Sequence, residues 1–348
     1  MAGAVTKTTP LRLVVAVLLA FLAVTASASA PAKTPRRRAP CRGRPTARPS
    51  SAAPPAAGPT AASSSTSSAK SPATKGDFRY GANFAVASGT LLNQLLFRKK
   101  HLNVDQITPY SLGIQIGWFK KVLAAIASTD VQRREIMASS LFLVGEIGAN
   151  DYNHPFFQNR TLGFVRPLVP RVIRSIALSV EALIKLGAKN IYVPGIFPLG
   201  CVPRYLYFYR GGEPGDYDSA GCLRWLNGLT ADHNRMLKGK LRELGRAHPG
   251  VSITYVDYYN EVLSLITRPA VNGFAAGTVL RACCGGGGPY NANLTLHCSD
   301  PGVVPCPDPA KYVSWDGLHM TEAVYKIMAR VLDGPFATPS IMSKCNHS

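Results

Sequence analysis

Two residues near the C-terminus could share a proton-transfer task. Asp316 stands three positions before His319 in the run Ser314-Trp315-Asp316-Gly317-Leu318-His319. An aspartate that orients an imidazole makes the histidine a general base, and such a base needs a hydroxyl to deprotonate before an acyl group can be attacked. A third candidate is Asn150 in Gly148-Ala149-Asn150-Asp151. Its side-chain amide can donate to a developing oxyanion, a task in which one preorganised donor contributes roughly 3 to 4 kcal/mol. Each residue alone has an ordinary explanation: a surface aspartate beside a capping histidine, and a turn-forming asparagine after a strand. What is missing is the nucleophile. The serines between positions 50 and 71 sit in no strand-turn-helix context that would expose and activate a hydroxyl, so no nucleophilic serine is identified.

Other chemistries find less support. The chain has no glycine-rich phosphate loop followed by Lys and Ser/Thr, no His-Glu-x-x-His and no dinucleotide fingerprint after a strand. Neither a cofactor nor a metal is expected. Cys283 and Cys284 precede the glycines at 285–288, and Cys298 and Cys306 follow, but the ligand spacing of zinc modules is absent and disulfides are the expectation. His101, His154, His233, His248, His297 and His347 read as structural or solvent-facing, with His154 close enough to Asp151 in sequence to line the same cleft.

The elements that must position these residues alternate in type. Leu112, Ile116, Phe119, Leu123 and Ile126 recur at helical spacing, and residues 141–144 form a short apolar run that predicts a buried strand ending before Asn150. A helix is expected over about 164–186, interrupted near Pro167 and Pro170, then a strand over 190–193, a turn at Pro198-Leu199-Gly200-Cys201, a helix over 223–244, a strand over 252–256 and a last helix over 321–332. Such alternation implies an α/β protein with a parallel sheet covered by helices, in which ligands sit beyond the carboxyl ends of the strands.

The N-terminal part has a different character. Lys7 and Arg12 precede an apolar stretch at 13–24, and Ala26-Ser27-Ala28-Ser29-Ala30 offers small-x-small cleavage sites after Ala28 or Ala30, the pattern of a signal peptide over 1–30. Residues 31–76 are Pro, Ala, Ser, Thr and Arg with almost no large apolar side chain, a low-complexity segment expected to be disordered. The body then runs from 77 to 348. Of the formal net charge of +20, residues 1–76 carry eleven basic groups and no acidic one, so the body has 28 basic against 19 acidic residues. A moderately basic secreted body suits anionic cell-wall surfaces. Only 97–101 forms a tight basic run there, so no nucleic-acid partner is expected. No span follows the leader. Eight cysteines and the sequons at Asn159, Asn293 and Asn346 agree with an oxidising, extracellular compartment.

Taken in order, Gly81-Ala82-Asn83-Phe84-Ala85-Val86-Ala87-Ser88-Gly89-Thr90, Gly148-Ala149-Asn150-Asp151, Pro198-Leu199-Gly200-Cys201-Val202-Pro203, Cys283-Cys284-Gly285 and Asp316-Gly317-Leu318-His319 resemble the sequence blocks of the SGNH hydrolases, specifically the plant GDSL-type esterases and lipases. The resemblance runs from Asp77 to about Cys345. It implies a three-layer α/β/α, flavodoxin-like fold and hydrolysis of acyl or acetyl esters by a Ser-His-Asp mechanism. Asp316 and His319 would be the orienter and base; Asn150, with the amide of Gly89 or of Ser88, would form the oxyanion hole. The partner would be a small-molecule or cell-wall acyl ester, the protein a secreted monomer of the apoplast or cell wall. Two departures stand out. Ser88 occupies a position where the family has glycine, and the block carrying the nucleophilic serine at the end of the first strand is missing before Gly81. Serine codon degeneracy permits an overlapping frame across 59–68 that would read Asp-Gly-Arg-Leu-Val-Val-Asp-Phe-Ile, which looks like the family's stretch between its first two blocks, so residues 31–76 are expected to arise from an out-of-frame segment. The sheet is then expected to lack its first strand, and the chain to show no His319-dependent turnover until that block is restored. A catalytically inactive glycoprotein that binds acyl or glycan ligands, and an unstable product, are the alternatives.

Overall fold

The structure is a computed structural model and describes residues 14–16, 78, 81–331 and 337–338. The cleavage sites, the low-complexity segment, Cys41, Cys345, the Asn346 sequon and His347 lie outside the described residues. The elements in chain order are β1 (Val14–Ala16), β2 (Ala82–Asn83), α1 (Gln94–Lys99), α2 (Leu112–Ile126), α3 (Asp130–Ser139), β3 (Leu141–Leu143), α4 (Ala149–Phe156), α5 (Leu162–Val165), α6 (Val169–Lys185), β4 (Asn190–Pro194), α7 (Pro203–Phe208), α8 (Arg224–Ala247), β5 (Ser252–Val256), α9 (Tyr258–Thr267), α10 (Glu322–Val331) and β6 (Ala337–Thr338).

The strands form one sheet in the order β2-β1-β3-β4-β5-β6, with β6 antiparallel to β5 and every other neighbouring pair parallel. Successive strand residues point to opposite faces, and the core divides accordingly. Phe142, Ile191 and Val193 pack with Phe119 of α2, Ile176 of α6 and Leu237 of α8. Their neighbours Leu143 and Tyr192 pack with Val262 of α9 and Val324 of α10. This is the expected three-layer arrangement, and it explains why β3 reads as an unbroken apolar run.

The position between β2 and β3, where the sequence left a gap, is taken by β1, drawn from the apolar stretch read as a leader. Val15 and Ala16 pair with Ala82 and Asn83 on one side, and Val14 to Ala16 pair with Leu141, Phe142 and Leu143 on the other. A gap there would leave two rows of backbone donors and acceptors unpaired, and a short β-branched segment suits a strand flanked on both edges.

The expected helix over 164–186 is two helices joined by a 3-10 turn at Arg166–Leu168. Pro167 and Pro170 fall in the first turns of the second and third pieces, where a missing N–H costs nothing. Along α6, Val172, Ile173, Ile176, Val180 and Leu183 are buried, the i, i+3, i+4 stripe of a helix lying on a sheet. Among the described residues no helix is long and apolar enough to cross a membrane.

Candidate active site

The Asp316–His319 segment is a turn built by its own aspartate. Asp316 Oδ1 accepts from the amides of Leu318 at 2.9 Å and His319 at 2.7 Å, while Oδ2 lies 2.5 Å from His319 Nδ1. Gly317 makes the bend at φ +87°, and a Cβ there would stand 3.2 Å from that of Ala292. Burial alone would raise the Asp316 carboxyl, but the hydrogen bond and charge of His319 and the two amides outweigh it and bring it down to about 2. The carboxylate is therefore ionised at any ordinary pH and fixes the imidazole through Nδ1.

The cysteine-rich loop supports this turn. The Cys283 amide donates to Ser314 O at 3.0 Å and that of Cys284 to Trp315 O at 2.7 Å. Disulfides Cys283–Cys306 and Cys284–Cys298 fasten that loop, and Cys201–Cys222 joins the start of α7 to the entry of α8. The sequence expectation of disulfides is met among the described cysteines.

Asn150 is not in a turn after the strand. It lies in the first turn of α4, whose N-cap Gly148 has φ +115°. A Cβ at Gly148 would come within 2.9 Å of Val172 Cγ1, so the helix starts here because only glycine permits both the backbone angle and the contact. Asn150 Nδ2 donates to Gly89 O at 3.0 Å, Asn153 Nδ2 donates to Asn150 Oδ1 at 3.0 Å, and Tyr205 Oη donates to Asn153 Oδ1 at 2.6 Å. This buried chain fixes the amide so that its second N–H is available to a ligand. Asp151, fully buried, accepts from the Leu91 and Leu92 amides at 2.9 and 2.8 Å. Desolvation pushes its carboxyl up to about 7 against those two bonds. It tethers Leu91 and Leu92, which directly follow the Ser88–Thr90 block, to α4, a role the sequence reading did not assign.

Of the two candidate oxyanion amides, Gly89 N–H is already donated to Val86 O at 3.1 Å. The other candidate, Ser88, adopts φ +62°, a left-handed conformation uncommon for a residue with a side chain. Its Oγ donates to Gln106 O at 2.9 Å and lies 3.1 Å from His154 Nε2.

Ser88, Asn150, His154, Phe157, Arg204 and His319 all line one cleft of about 530 Å³. Arg204 escaped the sequence reading; burial lowers its guanidinium, opposed by the charge of Asp316, and its Nε has no hydrogen-bond partner among the described residues. Its only sequence signal was its place just after Pro198-Leu199-Gly200-Cys201-Val202-Pro203. His233 is a core residue instead, with Nδ1 2.7 Å from Tyr152 Oη and its imidazole brought down to about 3 by burial.

A histidine held by an aspartate, an anchored asparagine amide and a shared cleft suit acyl transfer. The model of the GDSL-like lipase/acylhydrolase family matches residues 55–332. The chain belongs to that family. Among its relatives, a GDSL esterase/lipase of Arabidopsis thaliana is 44% identical over 274 residues, covering 78% of this chain and 69% of the relative. A second one from the same plant is 44% identical over 275 residues, with the same coverage. The sinapine esterase of Brassica napus is 41% identical over 271 residues, covering 77% and 69%. By family, this GDSL protein is a carboxylic ester hydrolase.

Proposed function

We propose that this chain is a secreted hydrolase of acyl or acetyl esters in which His319 is the general base, Asp316 holds it, and Asn150 with the Ser88 amide binds the oxyanion. The observation that carries this reading is the 2.5 Å contact between His319 Nδ1 and Asp316 Oδ2 at the edge of the cleft that also contains Asn150. Asp316 keeps Nδ1 protonated, and the imidazolium that forms on proton uptake gains a carboxylate partner. Asn150 strengthens its hydrogen bond as negative charge grows on the carbonyl oxygen. Secretion is supported by the leader pattern, by three disulfides and by the exposed sequon at Asn159. The substrate is a small-molecule or cell-wall ester handled by a single copy of the chain.

The test is hydrolysis of p-nitrophenyl acetate and butyrate by the full chain beside His319→Ala. Turnover that falls about 10²- to 10⁴-fold in the variant would support this mechanism and replace the sequence expectation of no His319-dependent turnover by the unaltered chain. Equal rates in the two proteins would remove His319 from the mechanism, and a folded chain with no turnover at all would favour the inactive, ligand-binding reading.

A further inference from the structure

The Ser-His-Asp reading has no nucleophile assigned so far among the described residues, and the block that α4 grips contains a hydroxyl in the cleft. Asn150 and His154 are four residues apart on α4 and so share one face of it. Each contacts one residue of the pair Ser88–Gly89: Asn150 Nδ2 holds Gly89 O at 3.0 Å, and His154 Nε2 stands 3.1 Å from Ser88 Oγ. Helix geometry therefore sets a base against the Ser88 hydroxyl and an amide donor against the next residue's carbonyl, in the one cleft that Ser88, Asn150 and His154 line. We propose that Ser88 is the nucleophile of this chain, with His154 as the base that activates it.

The inference rests on the ester-hydrolase reading and supplies its missing step. Ser88 Oγ gives its proton to His154 Nε2 as it attacks the acyl carbon. The new C–O bond forms while the carbonyl π pair moves onto oxygen, where Asn150 donates its second N–H. Collapse breaks the bond to the alkoxy oxygen, which leaves with the proton from His154, and the acyl group stays on Ser88. A water then gives a proton to His319 and attacks the acyl carbon; that proton passes to Ser88 Oγ as the acyl–oxygen bond breaks, releasing the acid.

Two further features agree, and one hydrogen bond must give way. Burial lowers the His154 imidazole and so favours its basic form, while the Ser88 backbone carbonyl favours the imidazolium it becomes. The bond from Ser88 to Gln106 O must yield by rotation about one torsion when the hydroxyl turns to His154. The left-handed backbone at Ser88 also has a reason to persist with a side chain present, since strain of this kind is retained at functional sites.

The experiment is labelling of the full chain with a fluorophosphonate, the adduct mapped by peptide mass spectrometry, beside steady-state ester hydrolysis. Ser88→Gly is the decisive variant, because glycine adopts φ +62° without cost and only the hydroxyl is lost; its melting temperature should equal or exceed that of the unaltered chain. The expected result is an adduct on Ser88, no adduct in Ser88→Gly, labelling slowed at least about 100-fold in His154→Gln, and labelling retained in His319→Ala although turnover is lost. An adduct on another serine, or unchanged hydrolysis by Ser88→Gly, would overturn the assignment; if that hydrolysis still needs His319, the ester-hydrolase reading survives without it. A folded chain with neither adduct nor His319-dependent turnover overturns both.

Discussion

At the scale of single residues, the site combines hydrogen bonds within one turn, as at Asp316, with others between positions far apart in sequence, as between Asn150 and Gly89. Asp316 serves twice, accepting two amides to shape the turn and holding the imidazole of His319. Its carboxyl falls to about 2 when folded, against about 3.9 for an unperturbed aspartate. The sign follows directly: stabilisation is present above the unfolded value and is lost as pH falls from about 4 towards 2. Urea denaturation of the chain and of Asp316→Ala should show a stability difference that shrinks on the order of 2 kcal/mol between pH 5 and pH 2. A difference that stays constant over that range would mean that the carboxylate gains nothing from folding. Asp316, His319 and Asn150 were legible in the sequence because block order and residue type suffice to find them. The Ser88–His154 contact was not, since it joins positions 66 apart and depends on α4 presenting residues 150 and 154 together.

At the scale of elements, α4 is the organiser. Its N-terminus carries Asn150 and Asp151, its second turn His154, and Gly148 sets its starting angle. Gly148→Ala would force a Cβ against Val172 Cγ1 while penalising the left-handed backbone. A loss of about 2 to 4 kcal/mol in urea denaturation is expected, with ester hydrolysis falling further than stability alone explains because Asn150 moves. If stability drops while the activity per folded molecule is unchanged, α4 does not set the position of Asn150. The long elements were readable from periodicity: β5 has the bounds expected, α8 and α10 lie within three residues of theirs, and α6 ends one residue before its expected end but starts five residues late, after the 3-10 turn. The short ones were not. α1, α4 and α7 have at most eight residues, too few turns for an apolar stripe to stand out; the Asn93 side chain caps α1, while α4 and α7 have no side-chain cap and bury residues such as Tyr152 and Tyr205 instead.

At the scale of the whole molecule, the sheet supplies what the local sequence lacked. The alternation of strands and helices was enough to anticipate a parallel sheet with helices on both faces, and the described structure has that architecture. The sequence could not show that Val14–Ala16 would stand between β2 and β3, because three apolar residues after a charged start are also what a leader looks like. A chain beginning at Pro31 should therefore lose its cooperative melt, or melt more than 10 °C lower, compared with the full chain, since ladder bonds on two edges disappear together. Coincident melting curves would show that β1 contributes nothing.

The origin of β1 sets two cellular events against each other. If the proposed secretion uses residues 1–30 as a cleaved leader, membrane insertion and trimming would act on the same residues that complete the sheet. A molecule trimmed on schedule leaves with an open slot between β2 and β3, able to accept an extended strand from another chain. A molecule that escapes trimming can close that slot itself. On that route the yield of well-folded protein would depend on whether the sheet closes before the leader is removed, and not on the strength of the core alone.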